Sequence, residues 1–366
     1  MTPVELPCRG CLRRSWLICA LAGHLELLRH RKGALAELLA LPDVDLLALG
    51  GEIARPKLRR GYEDFDARAA TRACAQAGVR PVCRHDELYP ANLKDLQSPP
   101  AVVYVAGRPE RLTELLDAPV AAVVGTRQPT DYGVEMARSL GRGLAAAGVT
   151  VVSGLALGID AAAQAAALSS PRPQTIGVLA GAAEIAYPAR MRSVHEHLVR
   201  EACVISEAPP GTRARRWAFL ARNRIIAALA ALTVVVEGTE RSGSLVTAEL
   251  ALGLGRRVGA VPGRVTSSRA TAPNGLLAAG ALVVRDAADV LDVVCGIDCP
   301  RAPQPALADL EPRLAALIEA VAAGADTLPE LVAAGLDLQA AMMGLSELEL
   351  MRRARRTPDG RYTVIV

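Results

Sequence analysis

The chain has 366 residues, 51% of them hydrophobic, so it can form the cores of two or three domains. Its net charge of +4 at pH 7 is only mildly basic, which neither requires nor excludes a polyanionic partner. Since no uninterrupted apolar stretch approaches about 18 residues, we predict no membrane span. The eight cysteines lie mostly in apolar segments and no secretory cleavage pattern stands out, so we expect reduced thiols and a cytoplasmic location.

Residues 1–75 predict a small helical module. Leu and Ala recur at helical spacing over 12–49, and Leu41-Pro42-Asp43-Val44 ends one helix and begins another. The pattern is loosely similar to a SAM or helix-hairpin-helix unit. Pro42-Asp43-Val44, however, stands where such a unit has its backbone-gripping Gly-Ile-Gly hairpin. We therefore expect this module to pack against another domain, with direct DNA binding as the alternative.

Two cysteines near the N-terminus have the spacing of metal ligands. Cys8 and Cys11 form one Cys-x-x-Cys, which alone is weak evidence for zinc. Cys295 and Cys299 lie far along the chain and have a different gap, so they do not supply a matching second pair. The sequence therefore predicts no metal site and no cofactor.

Residues 76–296 predict a Rossmann-like domain, introduced by short apolar pieces between Pro81 and Val105. Short β-branched or apolar runs, read as strands, occur at 120–124, 149–152, 175–180, 202–205, 233–236, 258–261 and 281–284. Helical segments lie between them, near 134–147, 160–168, 190–200, 216–230, 244–254 and 274–279. This alternation predicts an α/β fold in which helices cover both faces of a doubly wound, mostly parallel sheet.

The C-terminal part of the chain predicts a separate winged-helix-like domain. Residues 297–312 form a Pro-rich linker, and 313–323, 327–334 and 337–351 follow as three short helices in the domain 313–366. Pro358-Asp359-Gly360 then predicts a tight turn before a final strand. The third helix carries Glu347 and Glu349 rather than basic residues, which favours a protein contact or a regulatory role at least as much as DNA binding.

Three loops at predicted strand ends are rich in glycine and hydroxyl side chains. They are Gly125-Thr126-Arg127, Ser153-Gly154 and Ser242-Gly243-Ser244. Free backbone N–H groups at such strand-to-helix turns favour phosphate, so we predict a phosphate-binding crevice, with surface turns as the alternative. The Gly-x-Gly-x-x-Gly pattern is missing, which argues against a nicotinamide dehydrogenase. Asp160 is expected to cap the following helix.

A basic, aromatic segment gives the sharpest functional indication. Arg222-Asn223-Arg224 follows Phe219 by one helical turn, and Arg190 after Tyr187-Pro188 could extend the basic floor. Arginines that hold phosphates beside a ring on which a base stacks are typical of single-strand binding. The alternative is an ion-paired helix with Phe219 in the core. No group of residues resembles a catalytic arrangement, so we predict no catalytic residues.

In their order and spacing, these motifs resemble the DNA-processing protein A family (DprA, also called Smf), most strongly over residues 80–295. The motifs are Val123-Val124-Gly125-Thr126-Arg127, Tyr132-Gly133, Ser153-Gly154 to Asp160, Tyr187-Pro188, Ser206-Glu207, Arg222 to Ile226, Ser242 to Ala248 and Pro262-Gly263. The chain departs from the family pattern at Gln164, at Leu220 and in Gly181-Ala182-Ala183-Glu184 before Tyr187.

The resemblance implies a protein that binds single-stranded DNA without sequence preference. It further implies a homodimer formed through the Rossmann-like domain, loading of RecA recombinase during natural transformation, and neither catalytic residues nor a cofactor. Carried over residue by residue, the DNA pocket would consist of Arg127, Arg190, Phe219, Arg222 and Arg224. Replacing either Arg127 or Arg224 by Ala should then weaken binding similarly for all DNA sequences.

Two other functions stay open on the sequence alone. Glu237 and Glu249 near a Ser-Gly loop resemble elements of cytokinin-activating phosphoribohydrolases, although the Pro-Gly-Gly-x-Gly-Thr sequence of those enzymes is absent. A nucleotide-processing enzyme is therefore the main alternative. A transcription-type regulator acting through the C-terminal domain is the other.

Overall fold

The computed structural model describes residues 7–28, 34–49, 51–296, 310–322, 324–351, 353–356 and 360–364. The chain divides into two compact units, Met1–Pro300 and Arg301–Val366. Most of the predicted Pro-rich linker, together with Cys299 and the turn residues Pro358 and Asp359, lies outside the described residues.

Where the structure describes it, the N-terminal part of the first unit forms six helices. They are α1 (Arg9–Ala20), α2 (Ala22–Leu28), α3 (Ala34–Ala40), α4 (Asp43–Ala48), α5 (Gly51–Glu63) and α6 (Ala67–Gln76). Pro42 precedes α4 as its N-cap, so the break predicted at this proline is confirmed. Leu17 of α1 and its C-cap Leu21 pack with Leu46 and Leu58 in a small core of this segment.

A nine-stranded sheet follows in the same unit. Its strands are β1 (Val79–Cys83), β2 (Val102–Gly107), β3 (Val120–Val124), β4 (Thr150–Ser153), β5 (Thr175–Leu179), β6 (Cys203–Ser206), β7 (Leu232–Val235), β8 (Arg257–Ala260) and β9 (Leu282–Val283). Their order across the sheet is β1-β2-β6-β5-β4-β3-β7-β8-β9. The β1–β2 and β2–β6 pairs are antiparallel and the remaining pairs are parallel, which confirms the predicted mostly parallel sheet.

Eight helices surround the sheet. They are α7 (Pro109–Asp117), α8 (Asp131–Ala146), α9 (Ile159–Leu168), α10 (Arg192–Glu201), α11 (Arg216–Leu229), α12 (Gly243–Gly253), α13 (Thr271–Ala278) and α14 (Ala287–Val294). Neighbouring residues of β3 enter different cores: Val123 packs with Leu140 of α8, whereas Val124 belongs to the cluster of Ile225 of α11. Because strand side chains alternate between faces, each face of the sheet has its own helix layer.

The strand order reverses direction at the centre of the sheet. From β3 the chain goes first to β4 on one side and later, through β7, to the other side. Loops that leave the carboxyl ends of β3 and β7 therefore diverge to opposite faces and open a crevice between them. This is the position at which doubly wound sheets bind their ligands.

The described residues of the second unit form three helices and one pair of antiparallel strands. They are α15 (Pro312–Ala322), α16 (Leu328–Ala333), α17 (Leu338–Leu350) and the antiparallel pair β10 (Ala354–Arg356) and β11 (Tyr362–Val364). Leu317, Leu331, Leu345 and Tyr362 pack in its own core. The three predicted helices are confirmed, whereas the winged-helix assignment stays a prediction. In the part of the chain that the structure describes, no helix is long and apolar enough to cross a membrane.

Candidate nucleic-acid interface

A crevice of about 590 Å³ lies where the loops after β3 and β7 diverge. The loop after β3, the start of α9, the exposed side of α11 and the start of α12 all contribute to its walls. Its polar and aromatic lining comprises Thr126, Arg127, Asp160, Tyr187, Arg216, Phe219, Arg222, Asn223, Thr239, Ser242, Ser244 and Thr247. Among the described residues of this lining, Asp160 is the sole carboxylate against three arginines, so the crevice favours an anion.

Backbone hydrogen bonds hold the crevice loops together. Thr126 N–H donates to the Glu237 carbonyl oxygen at 2.7 Å, and Ile159 N–H donates to the Thr126 carbonyl oxygen at 3.2 Å. The chain can pass this closely at Gly158 because a Cβ there would lie 2.4 Å from the Thr126 oxygen. Gly158 also has φ near +87°, a conformation that glycine adopts without strain. The loop after β3 is therefore fixed before any ligand arrives.

The Glu237 carboxylate is a structural group. It accepts hydrogen bonds from Thr130 N–H at 2.8 Å and from Thr130 Oγ1 at 2.6 Å, and its side chain is buried. Glu249 is exposed on α12 and does not line the crevice. The two glutamates that motivated the enzyme alternative therefore do not face the crevice as a catalytic pair.

Arg222 forms a buried cationic wall of the crevice. Its Nη1 donates to the Val178 carbonyl oxygen at 2.7 Å, while Nε has no hydrogen-bond partner. Burial lowers the pKa of Arg222 to about 10, and the nearby Asp160 carboxylate opposes this fall, so the guanidinium stays charged at neutral pH. Gly154 makes room for it, because a Cβ there would overlap the Arg222 guanidinium.

Asp160 supports this arrangement differently from our expectation. The N-cap of α9 is Gly158, and no side-chain hydrogen bond caps this helix. The Asp160 carboxylate instead accepts from Gly154 N–H at 3.0 Å, inside the protein. Burial raises the pKa of Asp160, and the charge of Arg222 acts in the opposite direction. The predicted capping role was thus wrong, since Asp160 lies within the helix and braces the loop after β4.

An aromatic platform stands beside the arginines. The rings of Tyr187 and Phe219 have centroids 5.5 Å apart, and the Arg127 guanidinium lies 5.3 Å from the centroid of the Phe219 ring. Tyr187 is 46% exposed, and Phe219 is partly buried, packing on one side against the core cluster of Trp217 and Ala218. A cation over one ring face with a second ring nearby can hold a phosphate and a stacked base together.

The amino end of α12 forms the opposite wall. Ser242 is the N-cap, and its hydroxyl accepts from Ser244 N–H at 3.3 Å and shares a 2.7 Å hydrogen bond with the Ser244 hydroxyl. Asn223 Nδ2 donates to the Gly243 carbonyl oxygen at 3.3 Å and joins α11 to this turn. The positive end of the helix dipole makes this wall suitable for phosphate oxygens.

Several predicted site residues lie in the crevice and others do not. Those that line it are Gly125, Thr126, Arg127, Phe219, Arg222, Asn223, Ser242, Gly243 and Ser244. Ser153 is buried, and its hydroxyl donates to the Val123 carbonyl oxygen, so it supports the sheet. Gly154 contributes indirectly, because the absence of a side chain leaves space for the Arg222 guanidinium. Arg190 is exposed in a short 3-10 helix and is not part of the crevice lining.

Arg224 points away from the crevice. Its guanidinium donates to both carboxylate oxygens of Glu207 at 3.0 and 2.7 Å and to the Ser98 hydroxyl at 3.3 Å. Residues two apart on a helix differ by about 200° in direction, so Arg222 and Arg224 cannot face the same side. The expectation that both arginines line one pocket is not met. Arg224 instead fits the alternative given in the sequence analysis, in which it forms an ion pair.

Arg216 is a crevice residue that the sequence analysis did not single out. It is the first residue of α11, is exposed, and lines the crevice with Phe219, Leu220 and Asn223. The spacing i, i+3, i+4, i+7 identifies one face of a helix, and this period could have identified Arg216 from the sequence.

Gln164 is a departure from the family pattern with a structural role. Its side chain accepts from Leu155 N–H and donates to the Ile176 carbonyl oxygen. That residue therefore supports the loop after β4 from inside.

The sequence model of the DNA recombination-mediator protein A family matches residues 80–294, more than half of the chain. The chain belongs to this family. The resemblance inferred from the ordered motifs is thus confirmed, and the crevice lies entirely within the matched residues.

Relatives and solved structures of the DNA recombination-mediator protein A family agree with this assignment. DNA processing protein DprA of Bacillus subtilis is 37% identical over 220 residues, covering 60% of this chain and 73% of the relative. A putative DNA processing protein DprA of Mycobacterium tuberculosis is 42% identical over 273 residues, covering 73% and 69%. The structure of DNA processing protein A from Streptococcus pneumoniae matches with a TM-score of 0.61 at 29% identity, covering 77% of this chain and 95% of that one.

A second solved structure of the family is also similar to this chain. DNA processing protein A from Helicobacter pylori, described for its single-stranded DNA binding mode, matches with a TM-score of 0.53 at 29% identity. It covers 59% of this chain and 95% of that one. Both structural matches support the Rossmann-like fold of the first unit.

Proposed function

We propose that this protein binds single-stranded DNA in the crevice, without sequence preference, as a non-enzymatic recombination mediator. One observation carries the proposal, namely that several groups suited to nucleic acid line the same crevice. They are the Arg127 guanidinium, the rings of Tyr187 and Phe219, the buried Arg222 and the N-terminus of α12. Arginines and N–H groups suit the backbone phosphates, and rings accept any base on their faces. The single-strand binding described for the Helicobacter pylori relative supports the same ligand.

The geometry gives less support to a nucleotide-processing enzyme. Glu237 is committed to Thr130, Glu249 lies outside the crevice lining, and the crevice carboxylate Asp160 is engaged with Gly154. General acid–base chemistry needs a carboxylate within reach of the reacting group. Hydrolysis of a nucleoside monophosphate that is abolished by Glu237→Gln or Glu249→Gln would nevertheless reverse this preference.

The binding experiment is fluorescence anisotropy with labelled oligo-dT, repeated across salt concentrations and against a duplex of equal length. We expect tight, salt-sensitive binding that prefers the single strand, because splayed bases are needed for stacking. A second oligonucleotide of mixed sequence tests the lack of sequence preference. If no binding occurs even at low salt, the crevice does not bind single-stranded DNA, and a small nucleotide becomes the better ligand.

The finer steps of the proposal concern partners. We propose that the protein forms a homodimer through the Rossmann-like domain, acts in the cytoplasm, and loads RecA recombinase onto the bound strand during DNA processing or natural transformation. Sedimentation equilibrium measures the dimer. RecA ATPase activity on oligo-dT coated with single-strand binding protein measures loading, which should start sooner when this protein is present. An unchanged lag would remove the loading step while leaving strand binding intact.

A further inference from the structure

Four metal-ligating side chains from two distant parts of the chain meet beside β1. Cys8 is the N-cap of α1, and its Sγ accepts the N–H of Cys11 at 3.3 Å in the first turn of that helix. Cys83 is the last residue of β1, and His85 follows two residues later. The ligand atoms of these four residues all lie within 4.8 Å of one another. None of the four lines the DNA crevice.

The distances within this cluster suit a tetrahedral zinc ion. His85 Nδ1 lies 3.5 Å from Cys8 Sγ and 3.6 Å from Cys11 Sγ. With Zn–S bonds of about 2.3 Å and Zn–N bonds of about 2.0–2.1 Å, tetrahedral geometry separates sulfur and nitrogen by about 3.5–3.6 Å. The imidazole is therefore already at the spacing that shared coordination requires.

The composition of the cluster indicates a structural ion. Three cysteines and one histidine fill all four tetrahedral positions, whereas catalytic zinc keeps one position for water or substrate. Cys11 and Cys83 are buried, Cys8 is partly buried and His85 is exposed, so the ion would lie at the boundary of the core with one ligand towards solvent. Three thiolates and Zn²⁺ carry a net charge of −1. Arg9 and Arg84, which follow Cys8 and Cys83 in the sequence, are exposed and cationic.

We propose that Cys8, Cys11, Cys83 and His85 bind one structural Zn²⁺ ion. The ion joins the start of α1 to the end of the edge strand β1 and so fixes the N-terminal helices to the sheet. Binding releases the thiol protons of the three cysteines to solvent, and no electron transfer is involved. Because the cluster stands apart from the crevice, this inference does not depend on DNA binding.

The test is the metal content of the full-length chain, purified in the presence of reductant and measured by inductively coupled plasma mass spectrometry. We expect one zinc ion per chain, lost in Cys83→Ser and reduced in His85→Ala. The matched control is Cys19→Ser, which changes another cysteine of α1 outside the cluster and should keep the zinc. Equal zinc loss in the control and in Cys83→Ser would contradict the assignment, as would stoichiometric iron.

A second measurement needs no variant. The reduced wild-type chain, stripped of metal and titrated with Co²⁺, should develop the visible absorption of tetrahedral cobalt and a near-ultraviolet thiolate charge-transfer band, both removed by one equivalent of Zn²⁺. Thermal unfolding should occur at a lower temperature without metal and recover when Zn²⁺ is added, since metal binding stabilises the folded state. Absence of zinc together with absence of the cobalt spectrum would overturn the proposal, as would a disulfide among these cysteines under reducing conditions.

Discussion

Individual arginines of the crevice differ in how freely they meet a ligand. Arg127 is exposed and lies over the Phe219 ring, whereas Arg222 is 95% buried and tied to the Val178 carbonyl oxygen. An exposed arginine can follow a flexible DNA backbone. A buried one gives a fixed positive charge in a poorly hydrated wall, where charge–charge interactions are stronger. Arg127 can therefore adjust its position to the DNA backbone, whereas Arg222 provides a positive charge at a fixed position.

Replacement of Arg127 by Ala should weaken binding of oligo-dT and of mixed-sequence oligonucleotides alike. The residue is exposed, so the free energy of unfolding should hardly change. The slope of log K against log salt is negative, and each lost phosphate contact makes it less steep by about 0.7 for single strands. Anisotropy titrations at several salt concentrations measure both quantities.

Arg172→Ala is the matched control for Arg127→Ala. Arg172 is also exposed but precedes β5, at the amino edge of the parallel strands, opposite the crevice. Affinity and slope should stay at wild-type values in this variant. If both variants lose affinity equally, general surface charge rather than the crevice holds the DNA.

Gly154→Ala should act on the protein through Arg222. The new Cβ would overlap the Arg222 guanidinium, which is buried and donates to the Val178 carbonyl oxygen, so the side chain must move. Overpacking of this kind costs about 1–3 kcal/mol of stability. Denaturant unfolding measures that loss, and anisotropy should show weaker DNA binding in the folded variant.

Gly253→Ala serves as the comparison for Gly154→Ala. A Cβ at Gly253 of α12 meets nothing within 4 Å, so stability should be unchanged or slightly higher because Ala favours a helix. Unaltered stability and affinity in Gly154→Ala would show that Arg222 does not need the space that the glycine leaves.

At the scale of elements, α11 has two functional sides. One side presents Arg216, Phe219 and Asn223 to the crevice, and the other holds Arg224 against Glu207. The helix thus carries a ligand surface on one face and an anchor on the other. Movement of the anchor would displace the ligand surface, so the ion pair positions the crevice wall without touching DNA.

Arg224→Ala should therefore destabilise the fold rather than remove a phosphate contact. Removing one partner of a fully buried ion pair costs about 3–5 kcal/mol, and because the Glu207 side chain is 15% exposed, the loss here should lie towards the lower end. We expect lower stability in denaturant unfolding and an unchanged salt slope of DNA binding for the fraction that stays folded. A slope reduced as in Arg127→Ala would return Arg224 to the DNA pocket.

A double variant separates charge from packing at this ion pair. Arg224→Met combined with Glu207→Leu removes both charges and should recover much of the stability lost in Arg224→Ala, as replaced buried pairs often do. Stability that stays as low as in the single variant would indicate that hydrogen bonds to Ser98 and the Ala221 carbonyl oxygen matter more.

The sequence predicted the parallel strands and their helices well, because strands buried on both faces read as short apolar runs. The strands β1 and β2, at one edge of the sheet, were harder to predict from the sequence. Pro81 lies inside β1, and a proline within a run argues against a strand unless that strand is at an edge, as β1 is. The sequence could not show that β1 and β2 extend the sheet in antiparallel fashion, since edge position is a tertiary property.

The candidate site was predictable in its loops and only in part in its arginines. Glycine and hydroxyl residues after β3 and before α12 identified the crevice. The direction of Arg224 follows from helical geometry, but its partner Glu207 lies on a distant strand end and had no local signal. The cluster of Cys8, Cys11, Cys83 and His85 escaped for the same reason, because its two halves are separated by about 70 residues and only the fold joins them.

At the scale of the whole molecule, the proposed DNA-binding site belongs to only one of the two units. The crevice belongs entirely to Met1–Pro300, and the second unit, Arg301–Val366, has its own core. Within the described residues, its third helix α17 carries Glu347, which pairs with Arg313 of α15. An acidic group on that helix does not favour contact with a DNA backbone.

Removal of residues 301–366 should therefore leave the affinity for oligo-dT and its salt dependence unchanged. Anisotropy with the remaining chain measures this, after circular dichroism and thermal unfolding show that it is folded. Lost affinity in a folded truncated chain would support the regulator hypothesis, in which the second unit binds DNA. RecA loading by the same truncated chain would show separately whether the second unit contributes to partner contact.

The small size of the crevice has a consequence for how long strands are covered. Among the described residues, three arginines line it, so one copy contacts roughly three phosphates, and the single-strand salt slope per copy is about −2. So few contacts give one copy a short footprint on the strand. In the proposed homodimer two crevices are joined, so binding of the second crevice to the same strand is intramolecular, at an effective concentration set by the length of strand between them. Avidity along the strand, rather than the strength of any single crevice, would set how completely a long strand is covered.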